Sequence, residues 1–152
     1  MATRMYLKLG DVEGSCGDAA HSDWIEIVSF STGVSNSINC VEKVQKNPGG
    51  EACMHQDISM SKVVDKTSPQ LAAYAAVGKM WDEATIDVFE EKDQLYQIKL
   101  EHTAISSLSM NGGTGDVPYE TLVLAFAKIT WKYKAEAEQY WDLVTNEGSL
   151  DK

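Results

Sequence analysis

The sequence predicts a mainly β fold: seven or so strands in a compact, closed or nearly closed β-barrel, with one α-helix against it. Three observations carry this. Apolar residues recur with period two over most of the chain, as in Tyr96, Ile98 and Leu100 set against Gln97, Lys99 and Glu101. Glycine-rich and Asx-rich turns punctuate these runs, among them 10–18 and 111–116. Helical spacing with proper end signals occurs in one place, at about residues 69–78. A chain of 152 residues fits a single domain, 1–152, able to bury a core without disulfide or metal staples.

Taken in order, Arg4–Leu9 reads as the first strand and Asp23–Val34 as the second, with Ile25 and Ile27 on one face and Trp24, Val28 and Phe30 on the other. Apolar residues on both faces predict a strand covered on both sides. A long connection from Ser35 to about Gly50 ends in Asn47-Pro48-Gly49-Gly50, too long for a tight hairpin turn. Met54, Gln56, Ile58 and Met60 then alternate with Cys53, His55, Asp57 and Ser59, a strand with one buried face. The helix follows, with Ser68 as N-cap, Pro69 at its first position, Leu71, Tyr74 and Ala75 on one stripe, and Gly78 as the left-handed C-terminal cap. Strands return at Thr85–Glu90 and Gln94–Ser109, joined by the polar turn Glu91-Lys92-Asp93. In Thr121–Tyr133 the apolar parity switches at Lys128, which predicts a bulge or sharp coil. Tyr140–Thr145 reads as a last strand.

Composition excludes several classes. The chain has 13 Lys+Arg against 23 Asp+Glu, a net charge of −10, and shows no basic stripe, which argues against nucleic acid as a partner. Its longest apolar runs, Leu71–Val77 and Leu122–Ala127, fall far short of the ~20 residues that span a bilayer. The N-terminus has no hydrophobic stretch like that of an export signal. Cys16, Cys40 and Cys53 make an odd count without a close CxxC pair, as expected of a chain that folds in a reducing cytoplasm.

Chemical motifs are weak. Asp18-x-x-His21-x-Asp23 offers imidazole and carboxylates to a metal, but within a Gly-rich loop, where a hydrogen-bonded His21 is the better reading. Cys53-Met54-His55 matches no zinc spacing, and no context selects a Cys–His nucleophile pair. The 112–115 segment lacks the Lys and the helix of a phosphate loop. Glu90-Glu91 and Asp82-Glu83 read as solvated turn charges. These readings give no catalytic, metal or cofactor residue.

Resemblance adds more. Asp18-x-x-His21-x-Asp23-Trp24-Ile25-Glu26-Ile27, followed by Ser29-Phe30-Ser31-x-Gly33-Val34, resembles the early signature of the haemolysin-coregulated protein (Hcp) family, the tube protein of type VI secretion. Ser68-Pro69-x-Leu71 with Gly78 is similar to that family's single helix, and 102–107, 118–122, 129–133 and 141–146 to its late segments, all in the right order. The first loop departs from the family in carrying Gly14-Ser15-Cys16, and the 35–50 connection matches no familiar form. The resemblance implies a β-barrel of two sheets with one flanking helix. It also implies a six-membered ring that stacks into a tube inside a contractile sheath, meets a baseplate and spike, and carries small effectors in its lumen. Assembly is then expected in the cytoplasm and release through the type VI system without a signal peptide. On this view Val41, Glu42, Lys43, Val44, Gln45 and Lys46 belong to a ring-stacking loop. A small metal- or ligand-binding β-barrel enzyme remains the alternative, because His21, His55 and the three Cys are unexplained.

Overall fold

The computed structural model describes residues 2–38, 40–41 and 53–150. Among them ten strands share one sheet and two more form a separate ribbon. The strands are β1 (Thr3–Leu9), β2 (Ile25–Ile27), β3 (Ser29–Ser31), β4 (Val34–Asn36), β5 (Cys53–His55), β6 (Ile58–Val63), β7 (Met80–Glu90), β8 (Asp93–Asn111), β9 (Tyr119–Ala125), β10 (Lys128–Tyr133), β11 (Gln139–Asp142) and β12 (Glu147–Gly148), and the α-helix α1 spans Ser68–Val77. One layer runs β12-β11-β10-β8-β7-β1-β2, the other β3-β6-β9-β8, and β4 pairs with β5. The mainly β class with one flanking helix therefore holds. The two layers arise by folding one sheet over, without closing a cylinder.

Three chain irregularities mark where the fold-over occurs. The expected second strand is broken at Val28, where the partner changes from β1 to β6 and the Val28 N–H donates to the Ser61 carbonyl at 2.8 Å. The expected Thr121–Tyr133 strand is broken at Phe126 and Ala127, just before the parity switch predicted at Lys128, with the Ala127 N–H donating to the Glu101 carbonyl at 3.1 Å. Beside that bond, in mid-strand of β8, His102 has φ +53°, and there one edge of β8 changes partner from β10 to β9. A non-glycine residue in this region is strained and persists only where its surroundings hold it. The buried Thr103 next to it donates its hydroxyl to the Ala125 carbonyl at 2.6 Å.

The core fills the space inside the crease. Leu7, Leu9, Ile25, Ile86, Ile98, Leu100 and Ile129 face Ile58, Met60, Leu122 and Leu124 from the other layer, and all are essentially unexposed. The second strand is thus not covered on both sides as expected. Its residues beyond Val28 change layer, and Ser29 and Ser31 are exposed. Helix α1 adds Leu71 to the core and sets Tyr74 edge-on to Trp81, ring centroids 5.3 Å apart. It ends at Gly78, φ +72°, as the sequence predicts. The helix begins at Ser68, so Thr67 and not Ser68 stands at the N-cap, without a side-chain cap bond, and the Ser68 hydroxyl is engaged elsewhere.

That engagement is a fully buried ion pair. Lys62 on β6 and Glu120 on β9 stand directly opposite each other, both shut off from solvent, and Lys62 Nζ donates to Glu120 Oε1. Lys62 Nζ also reaches Asp65 Oδ1 at 3.1 Å, while the Ser68 hydroxyl donates to Glu120 Oε1 at 2.8 Å. Burial pushes the Asp65 carboxyl up, but hydrogen bonds from Thr67 and the charge of Lys62 outweigh it and hold the group below its ordinary value. The cluster fastens the start of α1 to two strands and admits one strand register. Removing one partner strands a buried charge. Lys62→Met is expected to cost about 3–5 kcal/mol in urea unfolding, and Lys62→Met/Glu120→Leu to recover most of it. A single substitution costing under about 1 kcal/mol would contradict this account.

Candidate functional site

The outer face of the β3-β6-β9-β8 layer is a regular surface. Alternation sends Phe30, Met60, Leu122 and Leu108 toward the core, so the intervening residues point outward. The pairing registers place Ser29, Ser61, Thr121 and Ser109 in one row across four strands, and Ser31, Ser59, Val123 and Ser107 in the next. Seven of these eight positions carry a hydroxyl and none carries a charge, in a chain where 24% of residues are charged. Sequence reading missed this face, because small Ser residues at period two look like a plain wet strand until the registers bring them together.

The two buried or half-buried histidines have structural surroundings. His21, 2% exposed, sits on a single 3-10 turn, Ala19–His21. Its Nδ1 lies 2.8 Å from Asp18 Oδ2 and its Nε2 3.1 Å from Asp87 Oδ2. The ring stacks on Tyr6 at 4.0 Å and is boxed edge-on by Trp24 and Phe89. The hydrogen bond with His21 holds the Asp18 carboxyl below its ordinary value. The sequence motif therefore contributes Asp18 and His21, with Asp87 from β7 as the third member in place of Asp23, whose backbone turns at φ +65°. The Gly14 backbone explains part of this loop: a Cβ there would lie 2.2 Å from the Trp24 carbonyl oxygen, so the loop closes on β2 only with glycine.

His55 on β5 packs against Trp131 and Trp141, ring centroids 6.0 and 6.2 Å away and nearly parallel, with Phe126 edge-on. Burial pushes its imidazole below the ordinary histidine value. Cys53 shares its face of the ribbon, while Met54 points outward at 67% exposure. The three cysteines are free: Cys16 is buried, Cys53 half-buried and Cys40 exposed. Burial pushes the Cys16 thiol up, so it is a poor nucleophile.

The acidic pairs do not converge. Glu83 takes an ion pair from Lys99 at 3.0 Å, and Glu90 faces Asp93 across the two-residue β7–β8 turn. Among the described residues no group of three or more His, Cys, Asp or Glu is placed to hold a metal ion. Likewise, no helix among them is long and apolar enough to cross a membrane. Of the stacking-loop residues, Val41 is helical and exposed, and Glu42, Lys43, Val44, Gln45 and Lys46 lie outside the described residues.

The described residues thus form a folded-over antiparallel sheet whose titratable clusters brace loops and strands. The sequence pattern of the family described as "Type VI secretion system effector, Hcp" matches residues 6–133, and the chain belongs to that family. It is 30% identical over 141 residues to Protein hcp1 of Pseudomonas aeruginosa, covering 90% of this chain and 86% of that one. Its structure is similar to that of a solved type six secretion system protein, with TM-score 0.87, 28% identity and coverage of 97% and 100% of the two chains. Hcp1 from Salmonella typhimurium, at 18% identity, shares the fold with TM-score 0.82 over 97% and 99% of the chains. The chain is thus a type VI secretion tube protein of the Hcp family and not an enzyme.

The pH dependence of stability follows from His55. Its folded form binds a proton less readily than the unfolded chain, so its stabilising share is full above pH 6.5, the ordinary histidine value, and is lost as pH falls below it. Thermal melts between pH 7 and 5 are expected to show this loss, and His55→Phe to flatten it. An unchanged slope in the variant would assign the effect to other groups.

Proposed function

We propose that this chain assembles into six-membered rings that stack as the inner tube of a type VI apparatus, and that the hydroxyl-bearing face lines the lumen through which effectors are carried. The observation that supports this most directly is the pair of charge-free rows across β3, β6, β9 and β8. A wall without charges or large apolar side chains gives a passing polypeptide little to adhere to. The sheath, baseplate and spike are the partners on this reading. Exposed apolar side chains elsewhere, including Val28, Val77, Met80 and Val144, supply contact surface between subunits. The end strands β2, β3 and β12 are only three, three and two residues long, and such short edge strands blunt unwanted pairing. The 41–46 segment is the stacking element, and the acids Glu90, Glu91 and Asp93 at one hairpin end oppose stacking until a baseplate nucleates it.

Light scattering of the purified chain is expected to give about 100 kDa, six times the 16.7-kDa subunit. Ser61→Glu/Ser109→Glu, which plants two carboxylates per copy on the proposed lining, should keep that mass and still permit release of the tube protein. Co-released effector is expected to fall at least about tenfold, the equivalent of roughly 1.4 kcal/mol of added repulsion and desolvation on a charged wall. A monomeric mass sinks the ring, and undiminished effector release sinks the assignment of this face.

A further inference from the structure

The turn that joins β8 to β9 carries the pair Asn111-Gly112, and of the five asparagines in the chain Asn111 alone precedes a glycine. Asparagine is a thermally labile residue. Its lability lies in the side-chain amide, which the nitrogen of the following peptide bond can displace. Asn111 is the last residue of β8, and every residue from Asn111 to Tyr119 is exposed. Three properties of this turn favour the displacement.

The first is steric. A five-membered ring closes when the Gly112 nitrogen reaches Cγ of Asn111, and a side chain on residue 112 would obstruct that approach, whereas glycine has none. The second is the state of the nucleophile: among the described residues nothing accepts a hydrogen bond from the Gly112 N–H. The third is the freedom of the strand end. Beyond Ala104, β8 pairs only with β9, and Asn111 opposite Tyr119 is the last rung of that ladder. Terminal rungs open at almost no free-energy cost. Asn111 can then leave the extended conformation, which turns the Gly112 nitrogen away from the side chain. The loop has room for this, because a Cβ added at Gly113 or Gly115 would meet no atom within 4 Å.

We propose that Asn111 is a site of spontaneous deamidation in the folded chain, a covalent modification that needs no enzyme. The Gly112 nitrogen bonds to Asn111 Cγ, the Cγ–Nδ2 bond breaks, and the side-chain nitrogen leaves as ammonia with the Gly112 proton. One water then opens the cyclic imide. Opening at Cγ gives aspartate. Opening at the main-chain carbonyl carbon gives isoaspartate, whose backbone runs through the former side chain. One water is consumed and one ammonia released, and nothing is oxidised or reduced. In either product the new carboxyl gives its proton to the ammonia, so the net charge of the chain goes from −10 to −11, that is −10 − 1. Isoaspartate also places an extra methylene in the backbone where the β8–β9 ladder ends, which removes the last rung. The modification does not rest on ring assembly.

The purified full chain is incubated at body temperature and neutral pH, and its peptides are followed by mass spectrometry that separates aspartate from isoaspartate. Asn36, before Ser37, and Asn146, before Glu147, are the internal references, since each precedes a residue with a side chain. Deamidation at Asn111 is expected to run at least about tenfold faster than at either, a barrier lower by about 1.4 kcal/mol. Gly112→Ala puts a side chain on the attacking residue. The fold accepts it, because a Cβ there meets only Pro118 Cβ at 3.9 Å and the backbone is not left-handed. An unchanged circular dichroism spectrum and melting temperature check this, and the variant should slow the reaction at least about tenfold. A free peptide covering 108–118 sets the rate of the unrestrained pair, and the folded chain is expected to react within about tenfold of it. A folded chain slower than that overturns the proposal, because the ladder or a neighbouring copy then shields the turn. So does a rate at Asn111 no greater than at Asn36 and Asn146, or one that Gly112→Ala leaves unchanged.

Discussion

Everything in this fold depends on a crease. A single antiparallel sheet bends so that its two halves face each other across one core, and every strand crossing the bend must change neighbours there. The nineteen-residue strand β8 crosses without a full break, at the cost of a left-handed backbone at His102. The other two crossings break, at Val28 and at Phe126–Ala127. Backbone bonds from Val28 to Ser61 and from Ala127 to Glu101 keep the crossings satisfied, as buried amides require. The order of layers, the position of α1 and the exposure of the serine face all follow from where the bend falls.

Two polar clusters hold the bent sheet in register from opposite ends. Lys62 and Glu120 sit inside, under the first turn of α1, where a shift of strand pairing would leave two buried charges apart. His21, likewise buried, bridges its own turn to Asp87 on β7, whose other carboxylate oxygen accepts from Gln94 and Gln97. Each cluster joins residues more than fifty positions apart in the chain, so each closes a long loop that hydrophobic contacts alone would close less specifically.

Much of the fold was legible in the sequence, and the exceptions have a common cause. Period-two alternation located β1, β7, β8 and β9, and Pro69 with Gly78 bounded the helix within a residue. The apolar residues on both faces of 23–34 suggested one doubly covered strand, whereas the segment changes layer at Val28. Partner exchange leaves no mark on periodicity beyond a shift of parity, and such a shift was visible at Lys128 and less so at Val28. For the site, Asp18 and His21 were adjacent enough to read as a pair. Asp87, sixty-six residues away, carries no signal of its own. The serine rows and the His55–Trp131–Trp141 grouping are likewise products of register between distant strands, which no single segment encodes.

The serine face has one more consequence, whatever lies opposite it. Hydroxyls on neighbouring strands stand about 4.8 Å apart, too far to bond each other directly but within reach of one water that hydrogen-bonds to both at about 2.8 Å. Such a lattice holds a film of water without binding any one solute, and it gives up and retakes each molecule at little cost. A solute passing over such a face displaces only water that the hydroxyls regain, so no fixed contact has to be broken.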